Sequence, residues 1–232
     1  MGTKEDQLST FFVIPSFNEG AVIRSNVQPL LDAGYSVVVV DDGSTDSTRE
    51  ALAGSGAHYL CHPLNLGQGA ALQTGVEYAL AQGADYIVHF DADGQHRLED
   101  AERLLDAVMA DEIDVALGSR FLRQEDWAAV PLGRRLLLKG GVIVNGLLTG
   151  MWLSDAHNGA RAMNRAAAQR IRLRENGFAH ATEILQEIKD QGLRFAELPI
   201  RIHYTDYSQF KGQKASSALR ILMDLVIRRL FR

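Results

Sequence analysis

Val37 to Val40 sets four valines in a row and runs straight into Asp41-Asp42-Gly43. A strand with one wet face alternates apolar and polar residues, whereas a β-branched run without alternation is covered on both faces. Such a run calls for a sheet with helices above and below it. Asp41 and Asp42 then stand at the strand's exit, where an open α/β sheet has its ligand crevice. The pattern returns at Tyr86 to Phe90, which ends in Asp91-Ala92-Asp93-Gly94. If the backbone stays extended, Asp91 and Asp93 point the same way. Such a pair invites a hard divalent cation, and a cation held by one or two carboxylates keeps positions free for substrate phosphate oxygens. Asp-x-Asp also occurs in solvated turns and helix starts, so its meaning depends on what surrounds it.

The surroundings alternate between strand and helix patterns. Phe11 to Ile14 reads as a buried strand ended by Pro15 and Ser16. Glu19 to Leu31 has helical spacing at Val22, Ile23, Val27, Leu30 and Leu31, closed by Gly34. Thr45-Asp46-Ser47 open a helix through Ala53, because short oxygen-bearing side chains cap helix N-termini. Ala57 to Cys61 is a short strand, and His62 to Gly69 a loop before a helix over Ala70 to Gln82. Leu98 to Ala110 is a helix, and Val115 to Leu117 a strand leading into Gly118-Ser119-Arg120. The alternation predicts a mainly parallel sheet with helices on both faces. The first strand is followed by PSFNEG rather than GxGxxG, and no GxxxxGK[ST] occurs, so a dinucleotide fingerprint and a P-loop are both missing. A nucleotide would have to be held by carboxylates and loops.

Bulk properties narrow the class. The 232 residues sit at the upper end for one domain, and a net charge of −5 argues against general nucleic-acid binding. The single cysteine, Cys61, has no internal disulfide partner, which points to a reducing compartment. The polar start MGTKEDQLST carries no signal-peptide core. From Leu136 to Leu153 the only charge is Lys139, a length approaching a membrane span. Gly140, Gly141, Gly146 and Gly150 interrupt it, so the expectation is a buried or membrane-facing helix rather than a crossing.

The order VIPSFNE, VVVVDDGSTDST, NLGQGAALQTG, FDADGQH and GSR resembles an inverting family 2 glycosyltransferase of the GT-A (nucleotide-diphospho-sugar transferase) fold. It is most similar to the polyprenyl-phosphate hexosyltransferases, the dolichol-phosphate mannose synthase-like branch, over roughly residues 11 to 211. The resemblance implies a nucleotide-binding role for Pro15, Phe17, Glu19, Val40 and Asp42, with Asp42 accepting from the base. Asp91 and Asp93 match the metal and diphosphate ligands, joined by Gln95 and flanked by Ala92, with Mg²⁺ or Mn²⁺ as the implied ion. Arg120 matches a cation near the sugar and phosphates, where a guanidinium grips two oxygens at once. Asp41 either shares that site or holds the Gly43–Asp46 loop. The glycine-rich Asn65–Gly75 stretch either meets phosphate through helix amides or packs beside the nucleotide.

The second half bears on the acceptor. Ser154-Asp155-Ala156-His157-Asn158-Gly159-Ala160-Arg161 resembles the family's D-x-x-S-G-F-R, keeping Asp155 and Arg161 in place. A carboxylate here acts as general base when the acceptor is a sugar hydroxyl, whereas a polyprenyl phosphate is already anionic. His157 and His180 read as structural. Glu197-Leu198-Pro199-Ile200 matches the family's E-V-P-I strand, and beyond it Lys211 falls on the family's lysine, with Thr205 where an arginine stands in the family. Lys214, Arg201 or Arg134 are the available replacements. From Ser216 to Arg232, Arg220, Asp224, Arg228 and Arg232 form one stripe opposite Leu219, Leu222, Met223, Val226 and Leu230, the pattern of a helix lying on anionic lipid.

The sequence thus predicts a GT-A domain over 1–212, with a nucleotide-sugar half at about 8–122 and an acceptor half at about 123–212. A basic amphipathic helix over 213–232 follows, facing membrane or partner. The expected activity is metal-dependent, inverting transfer of a hexose from a nucleotide-diphosphate sugar to undecaprenyl phosphate, at the inner face of the cell membrane. Transfer to a hydroxyl of a lipid-linked glycan is the nearest rival, and a non-catalytic sugar-nucleotide-binding subunit a more distant one. In related transferases transmembrane helices can follow the tail, so a small membrane protein is an expected partner.

Overall fold

The computed structural model describes residues 8–122, 140, 142–143, 146–147, 149–155, 158–177 and 179–201. Lys211, Lys214, Thr205, Arg134, His157 and the 213–232 helix therefore lie outside the described residues.

The strands are β1 (Thr10–Ser16), β2 (Ser36–Asp41), β3 (His58–Cys61), β4 (Tyr86–His89), β5 (Val115–Ser119), β6 (Arg161–Asn164) and β7 (Phe195–Pro199). The helices among the described residues with assigned bounds are α1 (Ile23–Asp32), α2 (Thr48–Leu52), α3 (Gln68–Ala81), α4 (Leu98–Met109), α5 (Arg165–Arg170) and α6 (His180–Asp190). The strands form one sheet in the order β3-β2-β1-β4-β6-β5-β7. The pairs β1–β2, β1–β4, β2–β3 and β5–β7 are parallel.

Strand β6 is antiparallel to both β4 and β5, which the strand–helix alternation did not predict. The reversal has a consequence for the site. Parallel strands deliver the residues that follow them to the carboxyl edge of the sheet. A reversed strand delivers the residues that precede it, so 154–155 and 158–160 arrive at the edge where β1, β2, β4 and β5 end.

The valine run behaves as its composition requires. Val38 and Val40 enter one core with Phe11, Val13, Ile87 and helices α3, α5 and α6. Val37 and Val39 enter the other with Phe12, Ile14, Val88 and helices α1 and α4. Each fully buried valine or leucine contributes about 1.5–3 kcal/mol relative to exposure, and here both faces contribute.

Boundaries moved where loops bond to one another. Strand β1 continues through Pro15 to Ser16, although proline cannot donate to a ladder. Val13 O accepts from Phe90 N, so Pro15, two residues on, turns its nitrogen to the same side, past the end of β4 at His89. Helix α1 starts at Ile23 rather than Glu19, because residues 18–20 are tied to the loop after β2. Asn18 has φ 56°. Its N donates to Ser44 Oγ at 2.8 Å, Glu19 N to Thr48 Oγ1 at 3.0 Å and Gly20 N to Asp46 Oδ2 at 2.9 Å. Asp46 Oδ1 accepts from Thr48 N at 3.0 Å, so α2 starts at Thr48.

Candidate active site

The loops after β1 and β2 form one bonded unit. Besides the three bonds above, Thr45 N donates to Asn18 Oδ1 at 2.9 Å. Asp41 is buried and accepts from Ser44 N at 2.8 Å and Tyr59 Oη at 2.5 Å, so it does hold the Gly43–Asp46 loop. Asp42 is buried as well. Its Oδ1 accepts from Leu66 N at 2.9 Å and from His62 Nδ1 at 2.7 Å, and its Oδ2 from Gly67 N at 2.7 Å. The His62 ring is steadied in turn by Thr74 Oγ1, 3.0 Å from Nε2. Asp42 thus draws the 62–67 loop against the exit of β2. Phe17 is exposed and Glu19 nearly buried beside these loops, while Pro15 and Val40 are buried within their strands.

The N-terminus of α3 is closed off. Asn176 O accepts from Gly69 N at 2.7 Å, and a Cβ on Gly69 would stand 2.0 Å from Glu175 O. The start of α3 thus packs against the loop leading to α6.

The Asp-x-Asp segment is a turn, so the condition of an extended backbone is not met. Strand β4 stops at His89. Asn26 of α1 donates to Ala92 O at 2.6 Å and so pulls the chain toward that helix, with Ala92 itself in the core. Asp93 Oδ1 accepts from Gln95 N at 3.0 Å and Oδ2 from Gln95 Nε2 at 2.8 Å, closing an Asx turn over Gly94, whose φ is 74°. Asp91 has partners of its own. His96 Nε2 donates to its Oδ2 at 2.8 Å, and Gln68 Nε2 to its Oδ1 at 3.3 Å. Gly159, just before β6, lies so close that a Cβ there would be 2.3 Å from Asp91 Oδ2.

The two carboxyls titrate apart. Burial pushes Asp91 up, but the hydrogen bond and charge of His96, with the charge of Arg161, outweigh it and leave the carboxyl below its ordinary value. Burial raises Asp93, and the negative charges of Asp91 and Glu19 raise it further. A site that disfavours its own second negative charge is one where a cation is welcome. The donors are hard oxygens: two carboxylates plus Gln95 Oε1, the acceptor its amide has left. No cluster of three or more His, Cys, Asp or Glu suited to a metal occurs among the described residues. Hard oxygens of this kind suit Mg²⁺ or Mn²⁺, ions that keep several positions for water and substrate oxygens.

Across the edge, β5 delivers Arg120. Its Nε and Nη2 donate to Asp155 Oδ2 at 2.6 Å and Oδ1 at 2.8 Å, and its backbone N to Oδ2 at 3.1 Å. This fork is among the stronger polar contacts a side chain makes. Asp155, which matches the family's carboxylate at this place, is buried and engaged with Arg120.

Arg161 lies behind this line. It is 2% exposed, paired across the sheet with His89, and senses both Asp91 and Asp155. Burial lowers its pKa to about 10, so it stays charged, and its Nη1 finds no hydrogen-bond partner among the described residues. Burial, then the Arg161 charge, push His89 down to about 3 and His180 down to about 4, so both imidazoles are neutral. The Arg161 charge favours the ionised form of both aspartates from inside the fold.

Several supporting residues carried no functional assignment in the sequence: Asn26, His62, Gln68, His96 and Gly159. His96 and Gly159 stand inside recognisable motifs, so their positions were visible though their partners were not. Asn26 sits in an ordinary amphipathic helix with no local signal.

A sheet of this order, with one reversed strand and acids at its carboxyl edge, defines a GT-A-type nucleotide-sugar transferase fold. A crystal structure of glucosyl-3-phosphoglycerate synthase from Mycobacterium tuberculosis, in complex with Mn²⁺, uridine diphosphate and glucosyl-3-phosphoglycerate, shares it. The TM-score is 0.61 at 20% identity, over 94% of this chain and 80% of that one. Residues 11–172 match the model of glycosyl transferase family 2, and the chain belongs to that family. It is 28% identical to the UDP-N-acetylglucosamine–dolichyl-phosphate N-acetylglucosaminyltransferase of Methanococcus voltae, over 94% of each chain. It is 31% identical to the polyprenol monophosphomannose synthase of Mycolicibacterium smegmatis, over 82% of this chain and 76% of that one. The protein is a glycosyltransferase.

Proposed function

We propose that the enzyme transfers a hexose from a nucleoside-diphosphate sugar to a polyprenyl phosphate, inverting the anomeric carbon, with Mg²⁺ or Mn²⁺ at Asp91 and Asp93. When bound there, the ion supplies charge neutralisation to the departing diphosphate. The joined loops of Phe17–Gly20 and Asp41–Asp46 hold the nucleoside, and Asp42, by fixing His62, Leu66 and Gly67, sets the wall beside its base. Arg120 faces the phosphates and Lys211 adds a second cation.

The observation that carries the acceptor assignment is the Arg120–Asp155 fork. A sugar hydroxyl needs a base to take its proton as it attacks. The carboxylate placed for that work has its oxygens committed to a guanidinium. A phosphate oxygen attacks as an anion and needs no such base. The names of the Methanococcus and Mycolicibacterium relatives support the same acceptor class.

A lipid acceptor also calls for a membrane-facing surface. Ile143 and Leu147, one helical turn apart, are 52% and 70% exposed, and Trp152 is 67% exposed close to the Ser154–Asp155 turn. No helix among the described residues is long and apolar enough to cross a membrane. We place the enzyme at the inner membrane face, resting on this apolar group.

Labelled sugar nucleotide incubated with short-chain polyprenyl phosphate and Mn²⁺ should give a lipid-linked sugar, and chelation should abolish it. Transfer to a glycan hydroxyl with none to the lipid phosphate would overturn the proposal.

A further inference from the structure

Arg120 is held by Asp155, and Asp155 is held in turn by an edge strand. Glu197 of β7 accepts from Ser154 N at 2.9 Å with each carboxylate oxygen, from Ser154 Oγ at 2.8 Å and from Asp155 N at 3.2 Å. Ser154 Oγ lies 2.6 Å from Ser119 Oγ, which accepts from Phe121 N at 3.2 Å, so the turn is tied to both sides of Arg120 in the chain. Strand β7 is fixed to β5 in register, with Glu197 opposite Leu117 and Ile200 N donating to Ser119 O at 2.9 Å. A carboxylate on a registered strand is a rigid template, whereas the 154–155 turn has no ladder of its own.

We infer that Glu197 is a positioning residue for transfer: by gripping the backbone of the Ser154–Asp155 turn it sets the Asp155 carboxylate, and through it aims the Arg120 guanidinium at the diphosphate. Glutamine is the informative substitution. It keeps size and one acceptor, but sets an NH₂ against backbone N–H groups that need an oxygen. The turn shifts, and the fork on Arg120 shifts with it. A displacement of about 1 Å at such a group can cost on the order of 100-fold in rate.

The inference rests on Arg120 serving the transfer reaction, yet its closest readout needs neither donor nor acceptor. In nitrogen-labelled protein, the Arg120 Nε–Hε signal, assigned by its loss in Arg120→Lys, should exchange slowly with solvent in the wild type. It should move to the position of a solvent-exposed arginine in both Glu197→Gln and Asp155→Asn, with the amide spectrum of the sheet preserved. Should Glu197→Gln not fold, Glu197→Asp keeps the charge and reads the same signal. In turnover, Glu197→Gln should lower kcat/KM on the order of 10- to 100-fold in the wild type, but less than about 3-fold in an Arg120→Lys background, because residues acting through one another are not additive. An unchanged Arg120 signal in the folded Glu197 variant, or equal fold-losses in both backgrounds, would overturn the inference.

Discussion

Asp93 carries a tension that a single substitution can release. Its carboxyl is raised by burial and by the charge of Asp91, so the charged form is disfavoured in the fold relative to the unfolded chain. For a raised carboxyl the sign is that stability falls as pH climbs from the unfolded value through the folded one, and the cost stands in full above both. Asp93→Asn should therefore raise the Tm of the metal-free protein at pH 7 while lowering turnover by on the order of 1000-fold, about 4 kcal/mol of barrier. Scanning calorimetry beside a transfer assay checks both; a drop in Tm would contradict the electrostatic account. Gly159 tests how closely Asp91 must be approached. An alanine Cβ would stand 2.3 Å from Asp91 Oδ2, so the carboxylate must swing away. Gly159→Ala should fold and lose turnover on the order of 100-fold, the scale expected for a misplaced reacting group.

Helix α6 shows how an element can set acid stability. His180, at its first turn, donates from Nδ1 to Gly177 O at 2.8 Å and is held neutral by burial and by the Arg161 charge, with its pKa pushed down to about 4. The unfolded chain takes up this proton near the ordinary histidine value and the folded chain does not. Stability is then lost as pH falls from about 6.5 toward 4, with a slope of at most about 1.4 kcal/mol per pH unit for one proton. His180→Gln should lessen the slope of denaturant-derived stability across that window by its one-proton share, leaving the share of His89, and an unchanged slope would contradict the assignment. The sequence carried no hint of this, since a lone histidine looks the same with or without a buried arginine beside it. What was legible were elements with strong local patterns: the valine run, the Tyr86–Phe90 strand and the Leu98–Ala110 helix all formed close to their predicted bounds. The antiparallel β6 was not legible, because Arg161 to Asn164 is short and its direction is set by pairing with β4 and β5. The Asp-x-Asp pair was legible in identity but not in backbone, because the turn depends on Asn26, 66 residues away from Ala92.

At the scale of the whole molecule, one carboxyl edge collects residues from β1, β2, β4 and β5 and from the lead-in to β6, and the exposed apolar residues Ile143, Leu147 and Trp152 come just before that lead-in. If that group rests on lipid, Ile143→Glu with Leu147→Glu should abolish co-sedimentation with anionic vesicles and leave Tm within a few degrees of wild type, since exposed positions tolerate change. Persisting sedimentation would place the contact elsewhere. The central claim is that Asp91 and Asp93 hold a divalent ion together with the nucleoside diphosphate. Electron paramagnetic resonance of Mn²⁺ titrated with protein and uridine or guanosine diphosphate measures this directly. The account predicts a bound-ion signal that strengthens with nucleotide and disappears in the Asp91→Asn, Asp93→Asn double variant. An undiminished signal in that variant, or none in the wild type with either nucleotide, would contradict it.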